Sequence, residues 1–597
     1  MYLKKTKNSK TGRIYLSIAH GYRDKQKGYS TNRTVEKIGY LDELQKQYED
    51  PIAHFKRVAQ DMTAKHQDEN RPIHIYAESN EQLPLGCDLR MNLGYAAIAK
   101  IFHELKLDIF FRNKQRNRNF KYNTYSVMLL LVVSRLLSPS SKKRTFENKA
   151  RYFERFDFEL IDVYRSLSYF AGIAKQVQRH MHEQITAVYG RNTELVYYDV
   201  TNYYFEIDKN DADEIDENGV IVHNGLRKKG VSKEHRPDPI VQMGLCMDAD
   251  GIPIAYDLHP GNTNDVLTLR PMFRELKNNC NLGRVIVVAD KGITSGDNIW
   301  YMKTTPDHDG YVLSLSVRGA TDDFKKYVLE EKGYYHKKKK MPDGTFEYDN
   351  SFKIKSRNDV RYIKVSKADG GKMTKAVDER QVIFYSKKYA DRAREERAEA
   401  INKARDLCAN PAKYNRAASY GALKYVNNVD FDKKTGEILT QNGRCPVFNE
   451  AKVLEEEKLD GYYVIVTSET NKSDDWIIDT YRGLWEIEES FKITKSELEA
   501  KPVFVSREDH INAHFLSCFI ALVIARLLEK KVEHAYPLPQ ILETLNKISC
   551  SLEDKNVYLF DHRSEISDAI GKAIGVDFSL RRRRLHEIKN ILRLCKN

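Results

Sequence analysis

Two near-pure apolar runs, each closed by an aspartate, constrain this chain more than any other feature. They are Val196-Tyr197-Tyr198-Asp199-Val200-Thr201 and Val285-Ile286-Val287-Val288-Ala289-Asp290-Lys291-Gly292. A short continuous apolar run is the pattern of a strand buried on both faces, so each carboxylate stands where a buried strand meets its exit loop. An isolated carboxylate is costly to bury. One in that place needs a cation, a cluster of hydrogen bonds, or exposure at the strand tip. For either aspartate taken alone, an exposed strand end or a turn cap remains an open reading.

The neighbouring segments suggest the sheet. Leu195 to Val200, Pro239 to Met247 and Pro253 to Leu258 read as three antiparallel strands, the last two joined by the turn Asp248-Ala249-Asp250-Gly251. A helix is expected over Thr263 to Lys277, capped by Asn262 or Thr263, then strands at Arg284 to Ala289 and Tyr311 to Val317. That order is the order of a ribonuclease H-like α/β core, a mixed five-stranded sheet with helices, and is also compatible with other mixed sheets. Between about 318 and 459 the rhythm is lost. Lys337 to Lys340, the turn Pro342-Asp343-Gly344 and an Arg/Glu-rich helix around Arg392 to Leu407 look inserted. A strand at Gly461 to Val466, a long helix over Asp475 to Glu499 and another over His510 to Lys531 follow.

Before the first aspartate, residues 13 to 41 read as a β-hairpin turning near Lys27-Gly28, followed by a helix over Leu44 to Lys65. From about 92 to 190 the apolar spacing is helical, with basic residues Lys114, Arg116, Arg118, Lys121, Lys142, Lys143 and Arg144. Solvated helix faces between ordinary cores explain any one of these basic clusters equally well. Toward its end the chain carries Arg581-Arg582-Arg583-Arg584, a basic tail that could add to DNA recognition.

Length and charge set limits. At 597 residues the chain exceeds one compact core. Its 98 Lys and Arg against 85 Asp and Glu leave a formal charge of +13, which attracts polyanions and makes nucleic acid the default partner without choosing DNA over RNA. The eight cysteines include no CxxC pair, so neither a zinc site nor a redox motif is indicated, and a reduced, cytoplasmic setting is expected. Met1 to Arg13 has no apolar core of a secretory signal. Val127 to Leu137 and Phe515 to Leu528 are interrupted by Arg135 and Arg526 and read as buried helices rather than membrane spans.

A third carboxylate gives the aspartates their meaning. In Tyr481-Arg482-Gly483-Leu484-Trp485-Glu486-Ile487-Glu488-Glu489-Ser490-Phe491-Lys492-Ile493-Thr494-Lys495, residues Tyr481, Glu488 and Lys495 recur every seven positions, close to two helical turns. They share one helical stripe, with Trp485 and Lys492 beside them. Taken alone, this is also an amphipathic helix in which Glu488 pairs with Lys492. The stretch resembles the signature helix of bacterial insertion-sequence transposases in the family-four group of DDE enzymes: Tyr, two residues, Arg, three residues, Glu, six residues, Lys. Tyr481, Glu488 and Lys495 fall on that spacing; the Arg position is Leu484, and an arginine stands instead at Arg482. Similar to the same family are the Tyr-Asp-Val-Thr run at Asp199, Ser232-Lys233-Glu234-His235-Arg236-Pro237-Asp238, Pro260-Gly261-Asn262-Thr263 and Ala289-Asp290-Lys291-Gly292. The resemblance spans roughly 190 to 530.

The resemblance implies a ribonuclease H-like catalytic core interrupted by an inserted β-rich domain, with mainly helical flanking regions. The divisions expected are a DNA-end-binding hairpin and helix over 1–90, a helical DNA-contacting region over 91–190, the core over 191–318 and 460–535, the insertion over 319–459, and a helical basic region over 536–597. The spacing agrees, with 91 residues from Asp199 to Asp290 and 198 from Asp290 to Glu488, more than a compact sheet needs.

The expected activity is DNA cleavage and strand transfer on double-stranded DNA, both element ends and target, by a homodimer and with no membrane partner. Asp199, Asp290 and Glu488 are expected to hold two Mg2+ ions, for which Mn2+ can substitute. Two such ions about 4 Å apart stabilise the attacking and leaving oxygens of an in-line displacement. Asp199 is expected to bridge them. Tyr481 and Lys495 are expected to hold the phosphate backbone, and Arg482 and Lys492 to contact DNA. Trp485 is read as core in preference to a base-stacking residue, and His235 and Arg236 as DNA contacts or turn stabilisers. A hydrolysis-only enzyme, an inactive DNA-binding descendant and an RNA-binding protein are the competing readings.

Overall fold

The structure, a computed structural model, describes all residues except 10, 24–29, 49, 70–72, 74, 76–79, 81, 83–84, 88–89, 234–235, 281, 341–345, 411–421, 428–445 and 597. The chain divides into two compact units, Met1–Leu85 and Gly86–Asn597.

In the first unit, β1 (Tyr2–Lys7), β2 (Ile14–Arg23) and β3 (Ser30–Tyr40) form an antiparallel sheet with β2 in the middle. Leu16, Ser17, Ile18 and Ala19 of β2 are buried. The expected hairpin is β2 and β3; its turn at Lys27-Gly28 lies outside the described residues. Strand β1, Tyr-Leu-Lys-Lys-Thr-Lys, was not expected because its charges mask any apolar alternation. Helix α1 (Pro51–Glu69) begins later than Leu44. Pro51 fits a first helical position, and the Asp50 carboxylate accepts from the amides of Ile52 and Ala53, both at 3.0 Å.

The second unit is built on a nine-stranded sheet. In chain order the strands are β4 (Leu195–Tyr204), β5 (Ile240–Met247), β6 (Pro253–Pro260), β7 (Ile286–Ala289), β8 (Gly310–Leu315), β9 (Tyr335–Lys340), β10 (Phe346–Ser366), β11 (Lys372–Ser386) and β12 (Tyr462–Thr467). Across the sheet they run β9-β10-β11-β12-β8-β7-β4-β5-β6. Strands β4, β5 and β6 are antiparallel, whereas β7 lies parallel to both β4 and β8. The sheet exceeds the five strands expected. The segment read as an insertion lays β9, β10 and β11 onto the same sheet, and β12 joins the two parts by pairing antiparallel with β8 and β11.

Both faces are covered, which is why the central strands read as apolar throughout. Val196, Tyr198 and Val200 of β4 face a core with Leu269, Met272 and Phe273 of α4 (Asp265–Cys280). Tyr197 and Tyr203 face the opposite core, shared with the helices α2 (Thr124–Leu137), α3 (Leu160–Tyr189), α5 (Asp474–Arg482), α6 (Trp485–Lys495) and α7 (Glu508–Lys531). Helices α2 and α7 are the two apolar segments expected to be buried. Helix α7 is long and apolar enough to cross a bilayer, yet 94% of its apolar window is buried inside the protein. Lys142, counted among the basic residues of a DNA-contacting region, is buried as well.

Two further expectations are corrected. The single helix over 475–499 is two helices, α5 and α6, because at Gly483 and Leu484 the backbone tightens into i to i+3 hydrogen bonds. The arginines at 581–584 are not a basic tail. Arg582–Arg584 is a strand paired with Val557–Phe560, Arg582 grips Glu553 at 2.7 and 2.8 Å, and Arg583 is buried against Asp577.

Helix α7 holds α6 from behind. Arg526, 6% exposed, meets Glu529 at 2.9 Å on its own helix, and Ser490 Oγ at 2.9 Å and Glu489 at 3.3 Å on α6. It also donates to the Glu486 carbonyl at 3.2 Å. Removing the guanidinium leaves buried acceptors without a donor. Arg526→Met should therefore lower unfolding stability by about 3 kcal/mol, the low end for a broken buried pair because Glu489 is partly solvated; the urea midpoint measures it, and a loss under about 1 kcal/mol contradicts this role.

Candidate active site

Strand β4 presents Tyr197, Asp199, Thr201 and Tyr203 toward α5 and α6, since alternate residues share a face. The last paired positions of β4 and β7 are Tyr198 and Ala289, so Asp199 and Asp290 come next on adjacent parallel strands. Asp290 leaves its strand as expected, but Asp199 does not stand at an exit loop: β4 continues to Tyr204 because it goes on pairing with β5, where Asp199 lies opposite Leu245.

The two carboxylates differ in surroundings. Asp290 Oδ1 accepts from Ser314 Oγ at 2.7 Å and from the Tyr481 hydroxyl at 2.9 Å. Burial pushes its carboxyl up, but these bonds, the Lys291 amide and the Lys291 charge outweigh it, and Asp290 lies below the ordinary range. Burial also pushes Asp199 up, and the negative charges of Asp290 and Asp265 add to it. Lys233 and the Val200 amide oppose this, leaving Asp199 at about 6.

Asp265, at the first turn of α4, and Lys233, whose ammonium donates to the Val200 carbonyl, are site residues that sequence reasoning missed. Burial raises Asp265 also, against Lys233 and a hydrogen bond with Gln242. The signal was present in the two family-like motifs, Ser232 to Asp238 and the turn at Pro260, but only the fold shows that both reach Asp199.

Helix α6 lies along β4, and two contacts set its register. A Cβ on Gly483 would stand 2.2 Å from the Tyr197 hydroxyl, so no larger residue fits there. Farther on, the Tyr203 hydroxyl bonds Thr494 Oγ1 at 2.7 Å. Glu488 is five residues beyond Gly483, about 7.5 Å along a helix, and Asp199 two beyond Tyr197, about 6.6 Å along a strand. Glu488 thus belongs to the stretch of α6 that runs over Asp199, and it is exposed. The structure brings Asp199 and Asp290 together. It does not draw Glu488 into a closed set with them: among the described residues no group of three or more His, Cys, Asp or Glu is arranged to hold a metal ion.

The remaining expected residues fall out as follows. Tyr481, expected to hold a phosphate, is committed to Asp290. Arg482 is exposed beside Asp479, at 3.2 Å. Lys492 is exposed, and Lys495 lies over the Tyr203 ring at 5.7 Å. Trp485, expected in the core, is 55% exposed, because the Gly483–Leu484 step starts α6 with that residue turned outward. Arg236 stacks on Tyr204 at 4.0 Å. His235 lies outside the described residues.

This donor set suits a hard divalent cation. Asp199 and Asp290 supply oxygen ligands, the donor type of a hard divalent cation, and Asp265 lies close enough to act on Asp199 by its charge; Lys233 acts on both Asp199 and Asp265, and burial is the main cause that raises Asp199.

Comparisons with known proteins agree in kind. Residues 3–78 match the model described as the IS1634 family transposase N-terminal domain, and residues 227–524 match the transposase DDE domain. Asp290 and Glu488 lie inside the second match; Asp199 precedes it. No curated protein matches the chain. Among solved structures, a piggyBac transposase in a synaptic complex with hairpin DNA is similar at 8% identity, covering 84% of this chain and 85% of that one, with a TM-score of 0.32. A Mos1 transposase in a paired-end complex with the left transposon end is similar at 10% identity, covering 39% of this chain and 60% of that one, with a TM-score of 0.11. Scores this low carry no argument, which rests on the two domain matches.

Asp199 gives a testable sign. Its folded carboxyl is raised to about 6, so without a bound cation its ionisation opposes folding. That penalty is absent below about pH 4, where the group is protonated folded and unfolded, grows between about pH 4 and 6, and is complete above. Asp199→Asn should therefore stabilise the metal-free protein by on the order of 2 kcal/mol at about pH 8, with the difference vanishing near pH 3.5. Urea unfolding across this range measures it, and equal stability at the alkaline end contradicts a charge-strained cluster.

Proposed function

For a chain that belongs to the insertion-sequence DDE transposases, we propose that Asp199, Asp290 and Glu488 are the catalytic carboxylates of metal-dependent DNA cleavage and strand transfer. The observation that carries this is the adjacency of Asp199 and Asp290 where β4 and β7 stop pairing, beside the helix α6 that packs along β4 and carries Glu488. The strand order supports a ribonuclease H-like core. Numbered by appearance, β6-β5-β4-β7-β8 reads 3-2-1-4-5, with the first three antiparallel and the last two parallel to the first. Residues 319–459 are then an insertion that extends the sheet, and residues 1–90 an end-binding region.

Asp199, Asp290 and Glu488 would hold Mg2+, or Mn2+ in its place. When bound, such cations stabilise charge on the attacking and leaving oxygens of a phosphodiester displacement. Every other part of the machinery is the chain's own. Ser314 and Tyr481 keep Asp290 ionised and fix its orientation. Lys233 tempers the repulsion around Asp199. The exposed cations Arg482 and Lys492, with Lys495 and Arg236, hold the DNA backbone at the site, and the exposed Trp485 offers a flat surface to a displaced base. Hydrolysis at each element end frees a 3′-hydroxyl, which attacks a phosphodiester of target DNA. Two ends make a homodimer the expected active form.

The test is incubation with duplex DNA bearing the element's own ends and Mg2+. Wild type should cleave and join; Glu488→Gln, or wild type with a chelator, should do neither while still binding the ends, with a rate loss of at least about 1000-fold, roughly 4 kcal/mol of barrier. End binding without cleavage by wild type points to an inactive descendant, and cleavage that survives Glu488→Gln removes that residue from the triad.

A further inference from the structure

We infer that a cavity beyond the C-terminal end of α6 is a built site for a phosphate group. The cavity, about 50 Å3, is lined in part by Arg135, Ser140, Lys142, Glu499, Phe504 and His514. By that measure it holds several water-sized atoms, enough for a small oxyanion. It lies outside the carboxylate cluster, between the ends of α2 and α7 and the segment that follows α6.

Three basic side chains meet there, and among the described residues none forms an ion pair with an acid. Arg135 and Lys142 are each 6% exposed and His514 is 5% exposed. Arg135 donates to the carbonyls of Leu498 at 3.1 Å, Glu499 at 3.4 Å and Ser140 at 3.5 Å. Lys142 Nζ lies 3.2 Å from His514 Nδ1. His514 Nε2 faces the Ala500 carbonyl at 3.2 Å and the Cys518 thiol at 3.8 Å. Every one of these partners is uncharged.

Other buried arginines among the described residues meet acids: Arg397 grips Asp460 at 2.5 and 2.6 Å, and Arg526 meets Glu529 at 2.9 Å. A buried charge without a counter-charge is strongly unfavourable, so a cationic pocket with room inside it and no internal anion is complementary to an anion from outside. Burial, with Arg135 beside it, holds the Lys142 ammonium down at about 7; an oxyanion in the cavity restores its charge. A guanidinium, an ammonium and serine hydroxyls together suit the several acceptor oxygens of phosphate. Glu499, exposed at the rim, is the acidic side chain of the lining and opposes binding.

The phosphate has two sources, a DNA backbone or the free ion. The DNA source rests on the transposase reading, and the free ion does not. The full-length protein is unfolded by heat with increasing inorganic phosphate, against chloride at equal ionic strength. The wild-type midpoint should rise with phosphate, that of Lys142→Met should not, and Glu499→Gln should respond at lower phosphate. Methionine keeps the length of the lysine stem and removes a charge that has no acid, so Lys142→Met folds at least as stably as wild type. Affinity for duplex DNA is then measured against salt. If a backbone phosphate enters, Lys142→Met lowers the slope of log K against log salt by about one. If the free ion is the ligand, the slope is unchanged and the thermal response alone is lost. Either result upholds the site. A wild-type midpoint indifferent to phosphate, together with equal salt slopes for wild type and Lys142→Met, overturns it. Glu488-dependent cleavage is scored on the same preparations, so failure of the anion site and failure of the transposase reading are told apart.

Discussion

Asp199 and Asp290 follow the last paired residues of two adjacent parallel strands, where two carboxylates repel each other and neither can be moved without moving the sheet. The surroundings resolve this unequally. Two hydroxyls, from Ser314 on β8 and Tyr481 on α5, hold Asp290 ionised; Asp199 is left with Lys233 and a single amide against burial and its acidic neighbours. Stability alone favours replacing such a group. Keeping it makes sense if a cation completes the site, which is why a buried carboxyl held against its environment points to function more strongly than the place of either aspartate along its strand.

Returning the chain to the sheet ahead of the helix that carries Glu488 is the task of β12. It is separated from β8 by the whole insertion, yet lies against it in the sheet, with β11 on its other side. The segment from β9 to β11 is therefore not a loop hung from the other strands but an extension of their sheet that returns the chain to where it left. Gly461 marks the return. It has φ +80°, and a Cβ there would stand 2.7 Å from the Tyr385 ring and 2.8 Å from Ala390, so only glycine lets the chain pass the end of β11 into β12. From β12 the chain enters α5 and α6 directly.

What the sequence made legible follows from how each element is buried. Strands β4 to β8 and helices α2, α4 and α7 lie between two layers or inside one, and their apolar runs showed it to within a few residues. Strands β10 and β11 did not show, because their buried positions include charges matched across the pair. Glu379 is buried against Arg361, and Gln381 bonds Arg357. No hydrophobic period reports a cross-strand ion pair. The step at Gly483 was hidden for another reason: what leaves room only for glycine there is the hydroxyl of Tyr197, remote in sequence. Of the site, the heptad spacing of Tyr481, Glu488 and Lys495 was visible. That Tyr481 would serve Asp290, or that Asp265 and Lys233 would reach Asp199, depended on a packing that motifs do not encode.

Helix α7 joins these parts mechanically. Its Arg526 fixes α6 through Ser490 and Glu489, and its His514 lines the cationic cavity. The two residues are twelve apart, about 18 Å along a helix, and nearly every side chain between them is buried. Close packing on all sides makes such a helix a rigid spacer. A change at one end of α7 is therefore resisted along its length, and α6 and the cavity keep a fixed separation. A duplex crossing both would meet the carboxylates and the cavity at one set spacing, which restricts which phosphate can lie over Asp199 and Asp290 when another occupies the pocket.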